Sequence, residues 1–365
     1  MNRQRIQLVQ AALQRRKLDA MLITQPANRH YLSGYTAVDH SIQETAGVLL
    51  LPAKGKPFLL TDSRFILQAE EEAAGCEVEL YRKGLYPHLK QLLPQLSIHR
   101  LAFESHYFLH SSVMTMEKMT DAIGVTLVPL TGLVERMRAV KNEDEIRLLK
   151  QSVRLNERVF QLVYNTIEPG MTELEIALAL ELTMRELGAE GPSFDTIVAF
   201  GTNAARPHAV PTDRVLRSGD IVLIDMGLVL HGYCSDMTRT FVAGKPRSTY
   251  LERLRIVRKA QLAAIAAIKD GAICRDVDQA ARTIISNAGY GKFFGHGLGH
   301  GVGLAVHEDP SLSPRCRKKL RAGMVVTIEP GIYLPEWGGI RLENMAVVRQ
   351  GGCEILNKDT TGLDL

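Results

Sequence analysis

Much that would direct a protein to a membrane, to the cell exterior or to nucleic acid is missing here. No apolar run approaches the roughly 20 residues that span a bilayer, so no membrane partner is expected. The opening MNRQRIQLVQAALQRRK is charged throughout and lacks the apolar core of a secretory signal. Five cysteines, Cys76, Cys234, Cys274, Cys316 and Cys353, are scattered, odd in number and without a C-x-x-C pair. They read as free, mostly buried thiols of a reducing compartment, and the cytoplasm is the expected location. An excess of one charge is missing too: the formal net charge is +4, with both signs spread along the chain. A nucleic-acid partner calls for a basic stripe or face, so none is expected.

What is present suffices for two cores. Hydrophobic residues make up 45% of the 365, and that length favours two domains. Within residues 1–130, DAMLITQ (19–25), AGVLLLP (46–52), KPFLLTD (56–62), CEVELY (76–81), RLAFE (100–104) and VTLVPL (125–130) read as strands. The second and third flank Ala53-Lys54-Gly55 as a hairpin. Helices are expected at 1–17, after Ser63, near 88–96 and near 112–123. This is an α/β domain with a mixed sheet. Its histidines, His30, His40, His88, His99, His106 and His110, form no cluster of ligand types.

From 131 to 365 the chain changes character. Asn142 with Glu145 and Thr172 with Glu175 form capping boxes for helices over about 143–166 and from 173. Pro169-Gly170 and Gly188 stop them. Strand-like stretches follow, ending in an acidic pair. Helices over about 249–269 and 276–287, then strands and a second acidic pair, repeat that order. Gly170 and Gly271 are about 100 residues apart, as are Asp225 and Glu329. The reading is an internal duplication, two α+β halves related by a pseudo-two-fold.

The acids carry the chemistry. IVLIDMGLVLHGYCSDMTRTF (221–241) sets Asp225 and Asp236 among apolar, β-branched residues, where an unpaired carboxylate costs several kcal/mol. VVTIEPGIYLPEWGGIRLENMAVV (325–348) does the same with Glu329 and Glu343. Each pair falls on two adjoining strands, and like charges held close need a cation between them. In FFGHGLGHGVGLAVHE (293–308) glycines alternate with His296 and His300; an extended chain would turn both imidazoles to one face. No G-x-G-x-x-G or Lys-Ser/Thr frame makes this a phosphate loop. Four carboxylates with one or two imidazoles suit two divalent ions, Mn²⁺ foremost, with Co²⁺, Fe²⁺ or Zn²⁺ as alternatives. Strand parity sets Thr238 beside Asp236, Thr327 beside Glu329 and Arg341 beside Glu343, where each can hold a ligand from behind. A surface ion pair is the other reading of Arg341. Cys234 shares parity with Asp236 and reads as packing.

Taken together, SFDTIVAFGTNAARPHAVP, GDIVLIDMG, GYCSDMTRTF, GHGVGLAVHE, TIEPGIY and GIRLEN resemble the pita-bread-fold metallopeptidases, in their Xaa-Pro branch of aminopeptidase P and prolidase. Residues 1–130 resemble the creatinase-type N-terminal domain of that branch. The resemblance implies an α+β pita-bread catalytic domain over 131–365 and two divalent ions held by Asp225, Asp236, His300, Glu329 and Glu343. It implies that His208, His296 and His307 line the site, and that Glu329 moves protons as well as binding metal. The implied substrate is a peptide with proline at its second position, and the implied assembly is a homodimer joined through the N-terminal domain. Many prolidase-like members carry an arginine shortly after the HE segment; here HEDPSLSPR has Ser311 at that place. That departure favours an Xaa-Pro aminopeptidase, with the dipeptidase (prolidase) as the alternative. A metal-free relative such as creatinase, or a non-enzymatic use of the fold, should have lost ligands, and all five are present.

Overall fold

The computed structural model describes residues 2–39 and 41–358; Met1, His40 and residues 359–365 lie outside the described residues. It forms two units, Met1–Met137 and Arg138–Leu365. The sequence reading ends the first domain at 130, but the next helix still feeds the first unit. Val134 is buried there, and Asn28 Nδ2 donates to Glu135.

In the first unit the strands are β1 (Ala20–Ile23), β2 (Val48–Pro52), β3 (Phe58–Thr61), β4 (Glu77–Leu80), β5 (Arg100–Glu104) and β6 (Thr126–Leu130). They form one mixed sheet in the order β4-β3-β2-β1-β5-β6, with β2 antiparallel to both neighbours. Around them lie α1 (Asn2–Arg15), α2 (Pro26–Ser33), α3 (Ile66–Glu72), α4 (Leu85–Gln95), α5 (His110–Asp121) and α6 (Leu133–Arg138). Sequence periodicity misses α2: it has eight residues, starts at Pro26 and buries polar Asn28 and Arg29 on its inner face. Two histidines of this unit make local contacts, His88 with Glu79 at 2.7 Å and His106 with Glu135 at 2.9 Å.

The second unit repeats one plan. α7 (Glu143–Tyr164) and α8 (Glu173–Glu186) begin at the two expected capping boxes, both formed. After β7 (Gly191–Pro192) come β8 (Ile197–Phe200), β9 (Ile221–Met226), β10 (Leu228–Leu230), β11 (Tyr233–Cys234) and β12 (Met237–Val242). Next are α9 (Ser248–Ala267) and α10 (Cys274–Asn287). Then follow β13 (Gly299–Gly301), β14 (Glu308–Leu312), β15 (Val325–Ile328), β16 (Gly331–Leu334), β17 (Gly338–Arg341), β18 (Asn344–Val348) and β19 (Cys353–Ile355). The sheet β12-β9-β8 of the first half answers β13-β15-β18 of the second. Both have two buried faces, which explains runs such as IVLI and VVTI. Val198, Val222 and Ile224 face α7 and α8, whereas Ile197, Ala199 and Leu223 face α9 and α10. In the second half, Val325 and Val347 pack on α7, and Val326, Ala346 and Val348 on α9 and α10. Among the described residues no helix is long and apolar enough to cross a membrane.

Candidate metal centre

Each half delivers its acids at one end of an antiparallel pair. Asp225 lies in β9 opposite Thr238 of β12, and Asp236 is the residue just before β12. Correspondingly, Glu329 follows β15 directly and Glu343 precedes β18. The two ends meet: Glu343 N donates to Thr238 O at 3.1 Å, and Arg239 Nη1 donates to Glu343 O at 2.6 Å.

Ligand atoms of Asp236, His300 and Glu343 fall within 4.8 Å of one another. His300 Nε2 stands 3.4 Å from Asp236 Oδ2 and 3.5 Å from Glu329 Oε1. Its Nδ1 lies 3.1 Å from Gly301 O, and a carbonyl only accepts, so Nδ1 carries the proton. Burial, and then His307, pushes the His300 pKa down to about 4, which leaves the ring neutral. The Nε2 lone pair therefore faces two carboxyl oxygens, and the ring supplies a proton to neither. Asp225 Oδ1 and Glu343 Oε1 are buried and meet no hydrogen-bond donor. Burial, then Glu343 and Asp225, raises Asp236 well above the usual carboxylate range, and burial, then Glu329, does the same to Glu343. Glu329 is pushed up to about 8 by burial, against the opposing pull of Arg341. Acceptors aimed at acceptors, with orphaned oxygens beside them, are the arrangement a divalent cation stabilises, and the donor set of oxygens and one imidazole fits such an ion.

The supporting side chains cross between the halves, against the expectation from strand parity for Thr238 and Arg341. Arg341 closes β17 and does not share a strand with Glu343; its Nη2 reaches Asp225 Oδ2 at 2.6 Å. Thr238, expected beside Asp236, donates to Glu343 Oε2 at 2.7 Å and accepts from Arg341 Nε at 3.0 Å. Thr327 does serve its neighbour, donating to Glu329 Oε1 at 3.2 Å while accepting from His300 N at 3.0 Å. Parity fails for Asp236 and Glu343, each one residue outside its strand, and survives for Glu329, which also stands just past its strand. Cys234 is buried, and burial raises its thiol to about 12.

These groups line a cavity of about 550 Å³ that also includes Phe194, Ile197, His208, His296, His307 and Ser311. The stretch 293–301 is not one extended strand, because only 299–301 pairs. Close approach explains its glycines: a Cβ on Gly299 would lie 2.2 Å from Thr327 O, and one on Gly301 2.3 Å from Asp309 O. His296 turns away from His300. Its Nδ1 donates to Gly297 O at 2.7 Å, and its Nε2 accepts from Tyr333 Oη at 2.9 Å. Tyr333 in turn accepts from Arg341 Nη1 at 2.7 Å. With both nitrogens engaged, His296 presents a wall of the cavity and has no proton to hand over. His307 and His208 are exposed, and the His307 ring lies 4.3 Å from that of His300. Burial, then His208, lowers the His307 pKa.

Three groups escape the sequence reading. Tyr333 has a detectable signal, standing four residues past Glu329 in the same hairpin. Glu308 is clamped between Arg138 and Lys141, with Lys141 Nζ at 3.0 Å, and also accepts from Ala305 N at 3.1 Å. Its cations lie 170 and 167 residues away in sequence, a separation that no local pattern encodes. Glu173 reads locally as a first-turn helix acid and nothing more.

Fold and site together define a metallopeptidase of the pita-bread type. Residues 147–350 match the model of metallopeptidase family M24, and residues 5–140 that of the creatinase/prolidase N-terminal domain. The chain belongs to family M24. It is similar to an Xaa-Pro dipeptidase from Bacillus anthracis, with 36% identity and a TM-score of 0.92 over 100% of this chain and 99% of that one. An X-Pro aminopeptidase from Thermotoga maritima is 38% identical, with a TM-score of 0.85 over 94% and 96%. Prolidase from Pyrococcus furiosus is 31% identical, with a TM-score of 0.85 over 96% and 99%.

Proposed function

We propose that this protein hydrolyses the Xaa-Pro bond beside a free N-terminus, with Xaa-Pro dipeptides as the favoured substrates. The cluster of acceptors facing acceptors around His300 Nε2 carries the metal-dependent part of this reading. Likeness to Xaa-Pro peptidases supplies the bond. The similar structures include a dipeptidase and a prolidase, which supports the dipeptide over the aminopeptidase activity expected from Ser311.

Asp225, Asp236, His300, Glu329 and Glu343 would hold two divalent ions, Mn²⁺ foremost, the four carboxylates balancing their charge. Bound there, such ions acidify a water and polarise the scissile carbonyl. Glu329 takes up a proton at its carboxylate and returns it to the departing prolyl nitrogen. That nitrogen carries no N–H before cleavage, so cavity shape, including the His296 wall, selects it in place of a hydrogen bond. His307 and His208, at the exposed side, donate to the carbonyl oxygen as negative charge grows on it; one such donor is typically worth about 3–4 kcal/mol. Phe194 and Ile197 exclude water from the reacting bond.

A longer substrate is the second reading, and one observation favours it. Ser311 and Ser313 line the cavity, and the one arginine among its lining residues, Arg341, is committed to Asp225. A dipeptide's C-terminal carboxylate thus lacks an obvious cation. The test is hydrolysis of Xaa-Pro, Xaa-Pro-Yaa and Xaa-Ala by the full chain with Mn²⁺ and after chelation. Cleavage of Xaa-Pro fastest, lost on chelation, is expected. Faster cleavage of the tripeptide selects the second reading. Absence of cleavage of both with Mn²⁺ present overturns the proposal.

A further inference from the structure

Outside the metal cluster, Glu173, the first residue of α8, accepts five hydrogen bonds, is fully buried and does not line the cavity. Its Oε1 accepts from Phe200 N at 2.7 Å and from Asn203 Nδ2 at 3.0 Å. Its Oε2 accepts from Thr212 N at 2.9 Å, Thr212 Oγ1 at 2.6 Å and Asn203 Nδ2 at 3.2 Å. Phe200 and Thr212 are the two ends of the loop 201–211, and His208 lies on that loop. One carboxylate thus closes the loop at its neck. The partners are all neutral, so this is no ion pair; the helix N-terminus adds favourable dipole.

The far side of the loop is fixed by the other half of the unit. Arg341 Nη1 donates to Pro207 O at 3.2 Å. A Cβ on Gly339 would lie 2.0 Å from Ala204 O, so β17 runs directly against the loop backbone. Burying a carboxylate without a counter-ion is costly unless every lone pair is used. An apolar residue at a helix start would avoid that cost, yet only an acceptor with two oxygens can take the N–H groups of both loop ends.

We propose that Glu173 is a positioning residue: by pinning residues 200 and 212 it fixes His208 over the cavity, opposite His307, ready to donate to the substrate carbonyl. This rests on the proposed reading of His208. It goes beyond that reading by assigning the residue that makes the histidine's placement rigid.

The test is a cycle of Glu173→Gln, His208→Ala and the double variant in the full chain with Mn²⁺, reading kcat/KM on an Xaa-Pro peptide and metal content. Glu173→Gln puts an amide N–H against one loop N–H. Its expected effect is a fall of roughly 10–100-fold in kcat/KM, the scale of a small misplacement of a reacting group. Metal content should be unchanged, and the double variant should be no slower than His208→Ala alone. A loss within twofold, or losses that multiply fully in the double variant, overturns the proposal, because a merely structural role would persist without His208. If Glu173→Gln does not fold, Asn203→Ala with Thr212→Val removes the three side-chain bonds to Glu173 from the loop side, leaving those of the Phe200 and Thr212 N–H groups, and enters the same cycle with a smaller expected loss. Hydrogen exchange gives a readout independent of activity. Amides of 201–211 should exchange at least tenfold faster in Glu173→Gln while those of β9 stay protected, and equal protection overturns the proposal. A wild-type chain inactive on Xaa-Pro peptides would instead remove the functional reading, leaving the exchange result to decide the anchoring.

Discussion

Two regions of the catalytic unit bury carboxylates and treat them in opposite ways. In the cluster formed by Asp225, Asp236, Glu329 and Glu343, burial and mutual repulsion push Asp236, Glu329 and Glu343 upward, and two oxygens have no donor. At the Glu308 corner burial also acts to raise the pKa, but Lys141 and then Arg138 outweigh it, and Glu308 ends below its ordinary value. Its side chain is only 5% exposed, so depth does not separate the two regions. What separates them is what faces the oxygens. The corner brings its own cations and closes on itself. The cluster brings one arginine for four acids and is complete only with a charge from outside the chain.

Removing a member of the cluster should have the largest consequence. Asp236→Ala should lose bound Mn²⁺, measured by elemental analysis, and hydrolysis should fall to background with the far-ultraviolet dichroism unchanged. With chelator present at pH 8 the same variant should melt higher than the wild type, since one of several crowded acids is gone. Retained metal and activity would move the centre elsewhere. Glu308→Gln tests the other side. It leaves Arg138 and Lys141 facing an amide, and a broken buried pair costs about 3–5 kcal/mol, read from the urea midpoint. A cost under about 1 kcal/mol would place the corner among surface ion pairs.

Legibility in the sequence follows the range of each interaction. Capping boxes at Asn142 and Thr172, the hairpin about Ala53-Lys54-Gly55 and the repeated order of helices and acidic pairs are local, and all are readable. So is the demand for a cation, because an acid beside a β-branched run is anomalous wherever it stands. Alternating glycines at 299 and 301 signal close backbone approach, but not the backbone approached. Partner identity is lost where the contact spans a hundred residues or more, as with Arg341 and Asp225, or Thr238 and Glu343. Of the three acids that stand one residue beyond a strand, Asp236 and Glu343 lose the parity relation and Glu329 keeps it. His296 shows a further limit, since spacing gives its position but not that Tyr333 and Gly297 occupy both nitrogens.

A smaller effect sharpens the comparison through pH. In the metal-free chain Asp236, Glu329 and Glu343 bind protons more tightly folded than unfolded, Glu329 up to about 8. Stability contributed this way is present below the ordinary carboxylate range and is lost as pH rises through the folded values. Thermal unfolding with chelator should therefore show falling stability from about pH 5 to pH 8, by about 3 kcal/mol or more, and added Mn²⁺ should restore most at pH 8. Glu308 has the opposite sign: its contribution is full above the ordinary carboxylate value and is lost only as pH falls through its lowered one. A chelated chain that gains stability towards pH 8 would contradict the crowding assigned to the cluster.

The smallest expected effect tests a third way of burying an acid. Glu145, 3% exposed, accepts from Asn142 N at 3.1 Å and from Tyr233 Oη at 3.0 Å. Like Glu173 it meets neutral donors at a helix start, but it lies far in sequence from the cavity histidines and does not line the cavity. Tyr233→Phe removes one donor and keeps the ring packing, so stability should fall by about 1 kcal/mol with kcat/KM and metal content unchanged. Urea unfolding and a peptide assay measure the two together. A loss of activity without a loss of stability would mean that the Tyr233–Glu145 contact positions the site, as the Glu173 contacts are proposed to do, and that satisfied acids in this fold are anchors for chemistry more often than for structure.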